Sequence, residues 1–458
     1  MKRTILALWT LLLVLGHGQP TATAFKDGDR VALIGDSITH GGAWHAYLYD
    51  YYLTRAPKSR IVFYNCGISG DSAAGALSRF DWDVAPKKPN RATIMLGMND
   101  VGRTYYGVEN PGADLLARRT NQYLSWRENM AKLTARLVDL KVEVTLITPS
   151  PYDQTATIKE KNLYGVNDIL ATCGETAKDM ARAQRFGLVD FNGPFTALNL
   201  EVQKTNAEAT LVGRDRVHPG DLGHFILAYL FLKSQGRTAT VAAVEIDAKG
   251  KKASLQENCS VTDLAFPSGG VSYTYLAASL PFPVTGAYAS ADTLVRWTED
   301  LNRETVKVTG LEDGEYALMM DDTALGTFTA AQLSRGLNLA TNLASPAQLQ
   351  AQAVHKTNWD RGNQERILRG LGQVEMGMRR AGVEPSDGEA ALRYCRSNLD
   401  RYQEQPHLPN AAYYRSVYSN YILSKPGQAA VAQRVEDLLP VLYQVNQPRA
   451  RRMVIRRP

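Results

Sequence analysis

Arg30-Val31-Ala32-Leu33-Ile34-Gly35-Asp36-Ser37-Ile38-Thr39 is a short aliphatic run that stops at a glycine and turns into polar, helix-starting residues. Residues 31–34 read as a buried strand, and Gly35 lets the chain turn tightly behind it. The same grammar recurs downstream. Brief aliphatic runs at 61–64, 93–96, 142–147 and 188–190 have polar or glycine punctuation, and amphipathic stretches near 45–54, 72–80, 115–140, 159–184 and 222–233 lie between them. Strand alternating with helix predicts a parallel sheet covered on both faces. Right-handed crossovers then give a flavodoxin-like three-layer α/β/α sandwich, with ligands at the carboxyl ends of its strands.

The rest of the chain is different. At 458 residues it is too long for one hydrophobic core, so further domains are expected. After Gly236, strand-like runs at 238–246, 271–276, 305–309 and 316–320 are separated by turn signals such as Pro267-Ser268-Gly269-Gly270 and Asp313-Gly314. The last two read as strands of a small sandwich joined at a turn. From Ser345 to about Gln444, residues rich in Arg, Gln, Leu and Ala carry helical periodicity. The expected partition is an export signal at 1–24, an α/β domain at 25–237, a β-rich domain at 238–343 and a helical region at 344–458. The basic run from Pro448 to Pro458 is expected to be a solvated, disordered tail.

Composition narrows the class. The chain is 44% hydrophobic and 21% charged with a net charge of +6, ordinary for a globular protein and not the footprint of a nucleic-acid binder. Lys2 and Arg3, a short apolar run and Ala22-Thr23-Ala24 form an export signal with cleavage between Ala24 and Phe25. No later stretch reads as a membrane anchor, so the mature protein is expected in the periplasm or outside the cell. Cys66, Cys173, Cys259 and Cys395 are scattered and lack metal-ligand spacing. One or two disulfides and buried thiols are equally good readings.

Four short motifs carry chemistry. Ser37, where a helix is about to begin, is a helix cap or a nucleophile near backbone N–H groups. In Asn65-Cys66-Gly67-Ile68-Ser69-Gly70-Asp71-Ser72, Gly70 is a turn glycine or a backbone donor to an oxyanion. Asn99, in Leu96-Gly97-Met98-Asn99-Asp100, is an Asx-turn residue or a side-chain donor to developing negative charge. Asp215 and His218, in Gly213-Arg214-Asp215-Arg216-Val217-His218-Pro219-Gly220, are spaced so that the carboxylate fixes the imidazole tautomer and frees the other nitrogen as a base. Asp36 reads as structural; His40, His45 and His224 as packing or exposed residues. Asp100 and Arg103 are candidate pocket residues, and Tyr105-Tyr106 covers the site or simply packs.

These four pieces, in this order, resemble the four sequence blocks of the SGNH hydrolases, also called the GDSL family, over about Arg30 to Gly236. Gly35-Asp36-Ser37 falls on the nucleophile block, Gly70 on the glycine of the second, Asn99 on the asparagine of the third, and Asp215 and His218 on the Asp-x-x-His of the last. The resemblance implies a serine esterase without metal or cofactor. Its triad would be Ser37, Asp215 and His218, and its oxyanion hole the N–H groups of Ser37 and Gly70 with the Asn99 amide. With an export signal and an attached β-domain, the chain looks most like a bacterial carbohydrate O-acetylesterase acting on polysaccharide, cell-wall sugar or host glycans, including acetylated sialic acid. A lipase, arylesterase or thioesterase for longer acyl chains is the alternative, and an inactive glycan-binding scaffold a more distant one. Oligomeric state stays open.

Overall fold

The computed structural model describes residues 21–458; most of the expected export segment, residues 1–20, lies outside the described residues. The first domain alternates β1 (Arg30–Gly35), α1 (Ser37–His40), α2 (Ala43–Arg55), β2 (Val62–Gly67), α3 (Ala73–Ser78), β3 (Arg91–Met95), α4 (Ala113–Asp139), β4 (Glu143–Ile147), α5 (Val166–Gln184), β5 (Gly187–Val189), α6 (Asn192–Gln203) and α7 (Asp221–Ser234). All its strands pair in parallel, in the order β2-β1-β3-β4-β5. That is the flavodoxin-like order, whose direction reverses at β1, so β1 and β3 open a crevice at their carboxyl ends. One face of the sheet packs on α2, α6 and α7 through Tyr47, Leu48, Phe195, Phe225 and Phe231. The other packs on α3, α4 and α5 through Ala76, Trp126, Leu133 and Leu170. The three-layer sandwich is therefore as expected.

Two differences within this domain have local causes. The helix expected from 159 begins at Val166, because Gly165 adopts φ +94° and the Gln154 side chain accepts the N–H groups of Gly165 and Asn167. Residues 192–203, unassigned from the sequence, form α6; Phe195 and Asn199 are buried along it.

A β-sandwich follows: β6 (Thr240–Asp247), β7 (Lys252–Glu257), β8 (Cys259–Ala265), β9 (Val271–Ala277), α8 (Gly286–Val295), α9 (Trp297–Leu301), β10 (Arg303–Thr309), β11 (Glu315–Met320), β12 (Thr323–Thr329), α10 (Ala330–Arg335) and β13 (Leu337–Asn338). β10 and β11 do not pair with each other. β10 joins the sheet β13-β10-β6-β7, and β11 crosses to the second sheet through Gly310 and Gly314, both at positive φ. The chain then forms α11 (Pro346–Arg380), α12 (Gly388–Glu404), α13 (Ala411–Ser424), α14 (Gln428–Val445) and β14 (Arg451–Arg456).

β14 corrects the expectation of a solvated tail. It lies between β11 and β9 in the sheet β12-β11-β14-β9-β8, and Met453 and Ile455 are fully buried between the two sheets. Arg452, Met453, Val454, Ile455 and Arg456 alternate with the period of a strand, a signal that the arginines mask. The β-rich domain thus takes an inner strand from beyond the helical region. The helices also lie against the first domain. α11 packs on α2, where Asp50 is fully buried and bonds His355 Nδ1 at 2.6 Å and Asn358 Nδ2 at 2.8 Å. All four cysteines are free thiols, three of them buried.

Candidate active site

β1 delivers the first residue. Gly35 is closed in by Thr39 and by the backbone of Met95, so no side chain fits at the strand end. Asp36 caps α1, its carboxylate accepting the Ile38 N–H at 3.0 Å. Burial pushes Asp36 up to about 6, against that hydrogen bond. The carboxyl fixes the turn, in keeping with its structural reading. Ser37 is half-buried at the first position of α1, where its own N–H has no intrahelical acceptor.

The turn before α7 meets it. Ser37 Oγ lies 2.7 Å from His218 Nε2, and His218 Nδ1 lies 2.5 Å from Asp215 Oδ2. The other Asp215 oxygen accepts the backbone N–H groups of Val217 and His218 at 3.0 and 2.9 Å. Burial raises Asp215, but the His218 ring and those two N–H groups outweigh it and hold the carboxyl at about 2. It is therefore an anion that accepts from Nδ1, which leaves the Nε2 lone pair facing Ser37 Oγ. The side chains of His218 and Asp215 are 48% and 55% exposed, so the site is an open rim and not a tunnel.

The crevice supplies donors. Gly70 lies at φ +78°, a conformation that favours glycine, and a Cβ there would meet open space. The requirement is for the backbone angle and not for room. Asn99 Nδ2 donates to Asp71 O at 2.9 Å, and Arg103 donates to Asn99 Oδ1 at 3.3 Å. These two bonds orient the amide and leave its second N–H unused. Asp100 is buried and accepts the Ala73 N–H at 2.7 Å, and burial pushes it up to about 7.

Several supporting residues had no signal in the sequence. Arg216, between Asp215 and His218, has no role assigned by its motif. It is buried at φ +65°, and its guanidinium donates to the carbonyls of Asp153, Ala156, Ile158 and Glu160 at 2.9–3.1 Å. Those bonds tie the Asp–His turn to the loop after β4, and no spacing in the sequence announces them. His40, read as a packing or exposed residue, accepts the Ser69 N–H at 3.0 Å and so braces the Gly70 turn. Burial, followed by nearby arginines, lowers it to about 3. His45 and His224 are also held low by burial, at about 4 and 3, and stay neutral beneath the site. Tyr106 packs, and Arg119 lies over its ring. Among the described residues no cluster of three or more His, Cys, Asp and Glu is arranged to hold a metal ion, and no helix is long and apolar enough to cross a membrane.

Residues 33–226 match the GDSL-like lipase/acylhydrolase family. The chain is similar to an acetylxylan esterase of Geobacillus stearothermophilus, 29% identical over 226 residues that span 46% of this chain and 94% of that one. It is also similar to the solved structure of BT4096, a gut microbial diltiazem-metabolizing enzyme. That structure is 31% identical with a TM-score of 0.87, over 96% of this chain and 100% of the other.

Proposed function

Because the chain belongs to the GDSL-like lipase/acylhydrolase family and is a serine ester hydrolase, we propose that Ser37 is its nucleophile, His218 its general base and Asp215 the orienting carboxylate. The observation that carries this is the unbroken Ser37–His218–Asp215 chain at 2.7 and 2.5 Å. Ser37 Oγ attacks the ester carbonyl carbon while its proton passes to His218 Nε2. The resulting oxyanion is held by the N–H groups of Ser37 and Gly70 and by the free N–H of Asn99. The carbon–alkoxide bond then breaks as His218 returns the proton to the leaving alcohol. Water, activated by the same imidazole, releases the acid from the acyl-serine.

The substrate we propose is O-acetylated carbohydrate, reached by an exported enzyme whose mature chain begins at Phe25. Two points support it. The acetylxylan esterase relative acts on an acetylated polysaccharide by name. The exposed His218 and Asp215 make the site an open rim, which suits a bulky sugar substrate. Wild type is expected to hydrolyse p-nitrophenyl acetate and to release acetate from acetylated xylan, and Ser37→Ala to do neither. Faster turnover of long-chain p-nitrophenyl esters than of the acetate would replace the acetylesterase reading by a lipase or thioesterase reading.

A further inference from the structure

One helix from outside the family segment reaches the site. Gly70, at φ +78° with open space around it, has no side chain to hold its N–H in place, so its neighbours must do so. α11 runs across the carboxyl end of β2 and meets those neighbours. Arg369 Nε donates to Gly67 O at 2.9 Å, and its two terminal nitrogens grip the Asp83 carboxylate at 2.5 and 2.7 Å. Asp83 is shared with Arg79. Arg79 in turn donates to Asp71 Oδ2 at 2.7 Å, to Cys66 O at 2.8 Å and to Gly35 O at 3.4 Å. Asp71 follows Gly70 directly, and its carbonyl is the acceptor that orients Asn99. Arg380, at the end of α11, lies 3.8 Å from the other Asp71 oxygen.

The relay Arg369–Asp83–Arg79–Asp71 alternates in sign, and every member is more than nine-tenths buried. Buried ion pairs recover little net stability after desolvation, so stability is a poor account of why four charged groups are lined up here. What they do have is direction. The relay's bonds to the main chain end on Gly35, Cys66 and Gly67, the strand ends that carry Ser37 and the Gly70 turn.

We propose that α11 sets the oxyanion geometry of the esterase site: Arg369, acting through Asp83, Arg79 and Asp71, holds the Gly70 N–H and the Asn99 amide at the spacing the tetrahedral oxyanion requires. The proposal rests on the assignment of Ser37, Gly70 and Asn99 given above. Arg369 is a positioning residue lying well beyond residues 33–226, so the family segment and the helical region form one catalytic unit.

The test uses the full chain as wild type, Ser37→Ala, Arg369→Met, Arg369→Lys and His355→Gln. His355 sits on the same helix and anchors it to α2, but touches no member of the relay. Three quantities are read: kcat and KM for p-nitrophenyl acetate, Tm, and inhibition by a trifluoromethyl ketone, whose hemiketal with serine needs the oxyanion donors. Arg369→Met is expected to lower kcat about 10- to 100-fold, the scale of a misplaced catalytic group, with KM changed by less than about threefold. Ketone affinity should fall by a factor similar to kcat. Arg369→Lys keeps the charge but not the fork and should fall between. His355→Gln should lower Tm yet keep wild-type kcat below its melting range. Wild-type kcat in Arg369→Met overturns the proposal, as does an equal kcat loss in His355→Gln. If Arg369→Met does not fold, Arg369→Lys decides by the same criteria. Failure of the underlying assignment would look different, with Ser37→Ala still turning over substrate.

Discussion

Asn99 has a divided amide: one N–H is held by Asp71 O and the other is left for the substrate. Asn99→Ala should therefore lower kcat by about 10²–10³ while leaving KM and Tm close to wild type, checked by steady-state kinetics and a melting curve. Arg216 makes a separate point. Its φ of +65° favours glycine, so Arg216→Gly relieves about 1 kcal/mol of backbone strain. The same change strands four carbonyls that the guanidinium now satisfies, each worth about 1–3 kcal/mol when buried unpaired. The expected result is a lower Tm and a lower kcat, because Asp215 and His218 ride on that turn. A variant more stable than wild type would show that the guanidinium is idle. At this scale the proposed reacting groups were legible, since Ser37, Gly70, Asn99, Asp215 and His218 each lie in a short local motif. Arg216 and Arg369 were not, because their bonds run to main-chain carbonyls or to partners far away in sequence, which leave no pattern.

Among the elements, α2 was read as a helix at 45–54 but not as one buried all round, and β14 was missed. α2, Ala43–Arg55, is buried on nearly every side and carries tyrosine and tryptophan all round. A helix of that kind belongs inside a larger body and not on a domain surface. Its outer neighbour is α11, and the fit is visible only once both are folded. β14 was hidden by charge: its inward residues Met453 and Ile455 alternate with arginines and valine, and the arginines suggested a tail. Ile455→Ala should lower unfolding free energy by about 2–5 kcal/mol, as for a buried aliphatic residue, measured by denaturant titration. No change at all would restore the solvated-tail reading. By contrast, the parallel sheet was readable throughout, because each buried strand is a short continuous aliphatic run bounded by glycine or polar residues.

For the whole molecule, the buried ionisable groups set a pH profile. Burial pushes Asp36 up to about 6 and Asp100 up to about 7, against about 3.9 in an unfolded chain. Between those values the native state keeps protons that the unfolded state has lost, so stability falls as pH rises through that window. Burial lowers His355, but the Asp50 carboxylate overcomes it and holds the ring above its ordinary value. Its contribution is complete below about pH 6.5 and is lost as pH rises through the folded value. Asp215, held at about 2, works the other way, stabilising above about pH 3.9 and failing in acid. His40, His45 and His224, held at about 3 to 4 against about 6.5 in an unfolded chain, likewise add stability as pH rises to about 6.5, so Tm is expected to peak at about pH 6.5 and to decline toward pH 8. His355→Gln should remove part of the decline above pH 6.5, and Asp100→Asn should steepen the rise below it; a Tm that climbs steadily from pH 5 to 8 would contradict this. The proposed role of Ser37 as the nucleophile has a direct test. Wild-type protein is treated with a p-nitrophenyl alkylphosphonate, and the modified residue is located by peptide mass spectrometry. A single adduct on Ser37 is expected, formed in step with loss of p-nitrophenyl acetate hydrolysis. An adduct on another residue, or hydrolysis that survives complete modification of Ser37, would contradict it.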